Sequence, residues 1–167
     1  MKFSESLKKN YDFQIFLPGS DITDDTIMTV AVARALMQWK QEGGDLHDHM
    51  ITHMRKMGNR FPFPMGAYGR GFKLWLNSHD PRPYNSCGNG SAMRVSAIAW
   101  LYNDLQTVRK MARLSAEVTH NHPEGIKGAQ ATAAAIFLAR SGYSKQEIKE
   151  YIERRFGYDL NIHTDEI

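Results

Sequence analysis

The sequence predicts an all-α domain. Apolar residues recur at helical spacing through most of the chain, and no segment alternates apolar with polar over the length of a strand. Helix-start and helix-stop residues punctuate those periodic runs. The run GIKGAQATAAAIFLARS is rich in small residues of the kind that let helices approach closely.

Residues 1–22 resist assignment. Phe13-Gln14-Ile15-Phe16-Leu17 reads as a short strand that Pro18-Gly19 ends at once. The first clear helix spans about Asp25 to Gln41. It is apolar on nearly every face through Trp39, so burial on most sides is expected. Asp24 and Asp25 sit at its start, where carboxylates suit capping and the helix dipole. Glu42-Gly43-Gly44 stops it. A second helix covers about Leu46 to Met57, followed by the Gly-, Pro- and aromatic-rich loop RFPFPMGAYGRG. Phe72 to Leu76 reads as a short helix, and 77–90 as a polar, turn-rich loop. That loop runs straight into one apolar helix, SAMRVSAIAWLYN. Asp104 caps the next helix, about 105–119. Asn121-His122-Pro123 opens another, with Pro at the first helical position, and Gly142 closes it. Ser144-Lys145-Gln146-Glu147 is a capping box for a last helix through about Arg155, and 157–167 reads as a fraying end.

A length of 167 residues suits a single domain, 1–167. Hydrophobic residues at 42% and charged residues at 23% exclude a disordered chain. The single cysteine, Cys87, excludes an intramolecular disulfide framework and a thiolate zinc site. It points to a reducing, cytoplasmic setting. No apolar run reaches the roughly 18 residues of a membrane span, and MKFSESLKKNYDF lacks the apolar region of a signal peptide. The formal charge of +3 is spread along the chain, which argues against a nucleic-acid partner.

Thr23-Asp24-Asp25-Thr26 offers hard oxygen ligands for Mg²⁺, Mn²⁺ or Ca²⁺, or else simply caps a helix. Cys87-Gly88-Asn89-Gly90-Ser91-Ala92-Met93-Arg94 is a glycine-rich loop entering a helix. Its backbone N–H groups suit a phosphate, with Ser91 adding a hydroxyl and Arg94 a charge, or else it is a turn only. Thr119-His120-Asn121-His122 places two histidines at a helix junction, as ligand contacts or as satisfied structural residues. His47, His49 and His53 read as a solvated helix face, Met50, Met54 and Met57 as core, and Cys87 as a thiol without an activating partner.

Four blocks in order carry a resemblance. TDDTIMTVAVARAL, GAYGRGFKLWL, SCGNGSAMRVSAIAWLY and LSAEVTHNHPEGIKGAQATAAAIFLA closely resemble the ADP-ribosylglycohydrolase family, of the dinitrogenase reductase-activating type. The resemblance covers about 22–155. It implies a compact orthogonal helical bundle and a binuclear Mg²⁺ (or Mn²⁺) centre. The implied activity is hydrolysis of the glycosidic bond to ADP-ribose, with ADP-ribose or an ADP-ribosylated substrate as partner. By the same resemblance Thr23, Asp24 and Asp25 supply part of the metal shell. Gly88, Asn89, Gly90, Ser91, Ala92 and Met93 hold the phosphates and ribose, and His120 lies against the ligand.

The chain also departs from the family pattern. Family members are longer, begin with a Gly-Asp-containing helix and an acidic residue at the reacting centre, and end their metal site with an Asp-x-Asp-Thr block. MKFSESLKKNYDFQIFLPGSDI and His163-Thr164-Asp165-Glu166-Ile167 show neither, and Glu5 is no substitute for the acid. The sequence therefore leads to the expectation of a domain shortened at both ends, with a half-present metal centre and no assignable catalytic acid or base. Three functional readings follow. They are a compact or split hydrolase, a non-catalytic ADP-ribose binder, and a half-domain covered by a homo-oligomer or a complementing chain.

Overall fold

The computed structural model describes residues 18–161. The strand expected at 13–17, Glu5 and residues 162–167 lie outside that range. Among the described residues there are seven α-helices and one isolated bridge, Thr23 to Met65, so the all-α expectation holds. The helices are α1 (Asp24–Glu42), α2 (Leu46–Arg60), α3 (Arg70–Leu76), α4 (Ser96–Leu101), α5 (Leu105–Glu117), α6 (Pro123–Arg140) and α7 (Lys145–Phe156). None of them is long and apolar enough to cross a membrane.

Local chemistry explains most of the boundaries. Asp104 accepts from Thr107 N–H and opens α5, while Pro123 sits in the first turn of α6. Ser144 and Glu147 close a reciprocal capping box at α7, and Gly157 ends that helix in the left-handed region at φ 70°. At α1 the cap position is Thr23, which makes no side-chain cap; its hydroxyl donates to Asp25 Oδ2 at 3.3 Å. Asp24 and Asp25 are first-turn residues favoured by the dipole, and they are not the cap. α2 runs past Met57 to Arg60, and Gly58 within it is a close-packed position against Leu76 rather than a stop. A Cβ there would lie 2.6 Å from Leu76 Cδ2.

Two expectations are corrected. The stretch 91–103 is not one helix. Asn89–Ser91 forms a 3-10 turn, Ala92 and Met93 N–H both return to Asn89 O, and α4 begins only at Ser96. Long-range bonds break the helix. Ser91 is tied to α6, Arg94 to the end of α5, and Met93 O accepts from Thr29 Oγ1 of α1 at 3.2 Å. α1 is also less buried than its composition suggests. Ile27, Met28, Ala31, Val32, Ala35 and Leu36 are buried, but Val30 and Met37 are 37% and 63% exposed. Seven residues apart, those two share the outer face.

α1 packs on α2, α5 packs on α6, and α4 joins the two pairs. α6 touches α4, α5, α7 and the 3-10 turn, which its buried small residues Gly125, Ala129, Ala131, Ala133 and Ala134 permit. The main core gathers Ile27, Met28, Val32, Met50, Met54, Ile98 and Val108, each 0–1% exposed. Side chains of this kind contribute roughly 1.5–3 kcal/mol each when fully buried. A smaller cluster of Ala131, Ala134, Ile152 and Phe156 lies under α7.

Candidate functional site

A cavity of about 210 Å³ opens where the start of α1, the start of α3, the loop before the 3-10 turn and the α5–α6 junction meet. Asp24 and Met28 line it from α1, and Gly69, Gly71 and Phe72 from the α3 end. Tyr84 and Ser86 come from the loop, and Gly88, Asn89 and Gly90 from the turn. Met93 and Arg94 lie behind the turn, and His120 closes the wall. Blocks separated by nearly a hundred positions thus converge.

The loop is pinned from the junction. Tyr84 N–H donates to Thr119 O at 3.1 Å, and Asn85, at φ 54°, donates its N–H to Asn121 Oδ1 at 2.7 Å. Two glycines allow the approach. A Cβ at Gly90 would lie 3.2 Å from the His120 ring, and one at Gly125 would meet Ser86 O at 2.5 Å.

Arg94 is 1% exposed and lines the cavity. Its Nη2 donates at 2.8 Å to both Ser115 O and Thr119 Oγ1, while its buried Nε has no partner. Burial pushes the guanidinium down to about 10, opposed by the Tyr84 phenol, so it remains charged at neutral pH. Among the described residues, none of its bonds is to a carboxylate. An uncompensated buried cation at a cavity wall is costly unless an anion joins it.

His120 follows from this arrangement. Thr119 Oγ1 accepts the Arg94 proton and lies 2.7 Å from His120 Nδ1. The hydroxyl proton is therefore free to go to Nδ1, which assigns the remaining imidazole proton to Nε2. Burial, and then the Arg94 charge, push His120 down to about 4. The ring is neutral at pH 7 and presents an Nε2–H donor. The Tyr84 ring packs against it at a centroid distance of 5.8 Å. Across the cavity Asp24 is half-buried, its carboxyl raised by burial and then by the Asp25 charge.

Asp24, Gly88, Asn89, Gly90, Met93 and His120 therefore share one cavity, whereas Thr23, Asp25, Ser91 and Ala92 do not line it. Thr23 and Asp25 stand beside Asp24 at the helix head. The buried Ser91 hydroxyl donates to Gly125 O at 2.8 Å and ties the turn to α6. Ala92 packs toward Gly128. His122 is the α6 cap, its Nδ1 accepting from Glu124 N–H at 3.1 Å, so the two junction histidines have separate roles. His47 is exposed, as a solvated face requires, but His49 and His53 are not. Half-buried, they bond Gly43 O and Gln38 Oε1 and fasten α2 to the end of α1. Cys87 is exposed and free.

Tyr84 left no mark in the sequence as a site-builder, and the Thr119–His122 block showed neither the Arg94–Thr119 bond nor the Asn85–Asn121 bond, because these partners lie far along the chain. Gly125 left a trace, since a glycine in the first turn of a helix costs propensity and asks for a packing reason.

Among the described residues, no three His, Cys, Asp or Glu side chains converge as a metal site. Thr23, Asp24 and Asp25 stand together at the head of α1, whereas a divalent ion takes about six oxygen ligands. The described residues do not complete such a centre.

The ADP-ribosylglycohydrolase family model matches residues 2–159. Similar proteins include mouse ADP-ribosylhydrolase ARH3, 36% identical over 158 residues, which covers 86% of this chain and 40% of the relative. Human ADP-ribosylhydrolase ARH3 is 34% identical over 169 residues, 89% of this chain and 44% of the relative. An uncharacterised protein of Archaeoglobus fulgidus is 40% identical over 79 residues, 47% of this chain and 26% of the relative. The chain thus spans less than half the length of these relatives. That match over residues 2–159 takes in the head of α1, the 3-10 turn and the His120 junction, and on that ground the chain belongs to the ADP-ribosylglycohydrolase family.

Proposed function

We propose that this chain carries the ligand-binding side of an ADP-ribosyl hydrolase site. In this reading the substrate is an ADP-ribosylated compound and the bond cleaved is the glycosidic bond to ADP-ribose. The observation that carries it is the cavity itself, with turn amides and the charged Arg94 for phosphate, a neutral His120 donor, and Tyr84 as an apolar wall. The first N–H groups of the 3-10 turn have no partner within it, and Arg94 supplies the charge that so short a turn lacks. At about 210 Å³ the cavity is below the 300–1,000 Å³ usual for drug-sized ligands. It seats part of a nucleotide sugar and leaves the rest over its open side.

Asp24 stands at the opposite wall, and Thr23 and Asp25 extend that polar edge. A cation there, Mg²⁺ or Mn²⁺ by the family resemblance, would polarise substrate oxygens and relieve the Asp24–Asp25 repulsion. The described residues complete neither its shell nor an acid–base pair. This chain's own residues accordingly bind and orient the substrate. The ARH3 relatives favour an ADP-ribosylhydrolase of that kind over the dinitrogenase reductase-activating type.

Calorimetric titration of ADP-ribose into the chain, with and without Mg²⁺, tests the reading. We expect micromolar binding, lost in H120A and made indifferent to Mg²⁺ in D24N. Absence of binding at millimolar ADP-ribose in both conditions would sink it.

A further inference from the structure

We infer that the groove between α5, α6 and α7 is a second anion site, which takes a diphosphate group through Arg109, Lys110, Arg113 and Arg155. The groove encloses about 670 Å³ and shares no lining residue with the Asp24–His120 cavity. Gln106, Arg109, Lys110 and Arg113 stand at i, i+3, i+4 and i+7 on α5, which puts them on one stripe. Gln130 of α6 and Arg155 of α7 face that stripe across the groove.

The cations are gathered at a cost that the described residues offset only in part. Like charges four apart on a helix, such as Arg109 and Arg113, repel. Among the described ion pairs only one carboxylate answers them, Glu117, bonded to Arg113 at 2.8 Å. Arg109 and Arg155 both stand over the ring of the buried Phe156, at 5.7 Å and 5.9 Å from its centroid. A shared ring holds both guanidinium groups near it but neutralises neither. The Arg109 Nε is buried and has no partner, although Gln130 holds the same residue's carbonyl at 3.1 Å. Four cations with one carboxylate among the described residues form a pre-set cluster that an oxyanion completes.

The donor set selects the class of anion. Three of the four cations are arginines, whose planar forks grip phosphate oxygens two at a time. Leu105 is the one apolar side chain on the wall, so there is little to hold the side chains of an acidic peptide. Two adjoining phosphates fit the spread of charge, whether as free pyrophosphate or as the diphosphate of a nucleotide.

The test is an NMR titration of the full ¹⁵N-labelled chain with pyrophosphate, and in parallel with ADP. The expected result is saturable shifts at Gln106, Arg109 and the Gln130 side-chain amide. The double variant K110Q/R113Q, at exposed positions, should weaken binding about tenfold or more, and R155Q should weaken it independently. Rising salt should weaken it further. Equal affinity for the two ligands would mean that the phosphates alone are read, and tighter ADP binding would mean that a nucleotide is the natural occupant. Shifts confined to Gly88–Gly90 and His120 would overturn the inference, as would unchanged affinity in both variants. No response at millimolar pyrophosphate, or binding of a polyglutamate peptide in its place, would do the same.

Discussion

Thr119 sits between two groups that need it. Its hydroxyl receives Arg94 and gives its proton to His120, so one side chain fixes a buried cation and an imidazole tautomer together. In T119V both partners lose a bond, and a buried donor left without an acceptor costs about 1–3 kcal/mol. Denaturant unfolding should report a loss of that size, and ¹⁵N imidazole shifts should show His120 no longer held as the Nε2–H form. A serine at the same position should restore the tautomer, whereas a purely steric role would not be rescued. His120 also sets a pH dependence. Its folded value lies near 4 against an ordinary 6.5. Between the two, the unfolded chain binds the extra proton, so stability rises with pH across that window and is lost as pH falls through it. H120Q removes this titration. Its stability curve should be flatter than the wild type from about pH 6.5 to 4, with carboxylates common to both chains subtracted.

Within α6, two glycines three residues apart make a direct comparison. Alanine in a helix interior is favoured over glycine by about 1 kcal/mol. At Gly128 a Cβ would find only ordinary contacts, at 3.8 Å and 3.9 Å, so G128A should stabilise the chain by up to that amount. At Gly125 the same Cβ would meet the Ser86 carbonyl at 2.5 Å and His120 Cβ at 3.1 Å. A backbone atom cannot swing aside as a flexible side chain does, so G125A should destabilise despite the better propensity. It should also weaken ADP-ribose binding by displacing the loop. Paired denaturation curves decide this, and equal shifts in the two variants would show that the close approach carries no energy.

Taken as a whole, the molecule joins a helix pair, α1 with α2, to a second pair, α5 with α6, and its cavity lies where loops from both halves meet. A ligand bound there touches both halves and should stabilise the whole fold. With free ADP-ribose at 100 times its dissociation constant, unfolding free energy should rise by about 2.7 kcal/mol. A thermal melt that ligand leaves unmoved, in a chain that calorimetry shows to be saturated, would mean that binding and global stability are uncoupled.

The helices and many of their ends were legible in the sequence because their causes are local. Asp104 bonds three residues on, Ser144 and Glu147 bond each other, and Pro123 needs only its own missing N–H. The ordered blocks likewise carried the family, since they depend on residue identity and order. Only tertiary structure decided that the run 91–103 breaks, that Ser91 serves α6 rather than the cavity, and that Arg94 faces it with no carboxylate partner among the described residues. Each of these rests on a contact between residues 21 to 64 positions apart, as from Arg94 to Ser115 or Thr29 to Met93. Hydrophobic periodicity says which face of a helix turns inward. It does not say which donor on another helix will be waiting there, because that is set by how all the helices pack at once.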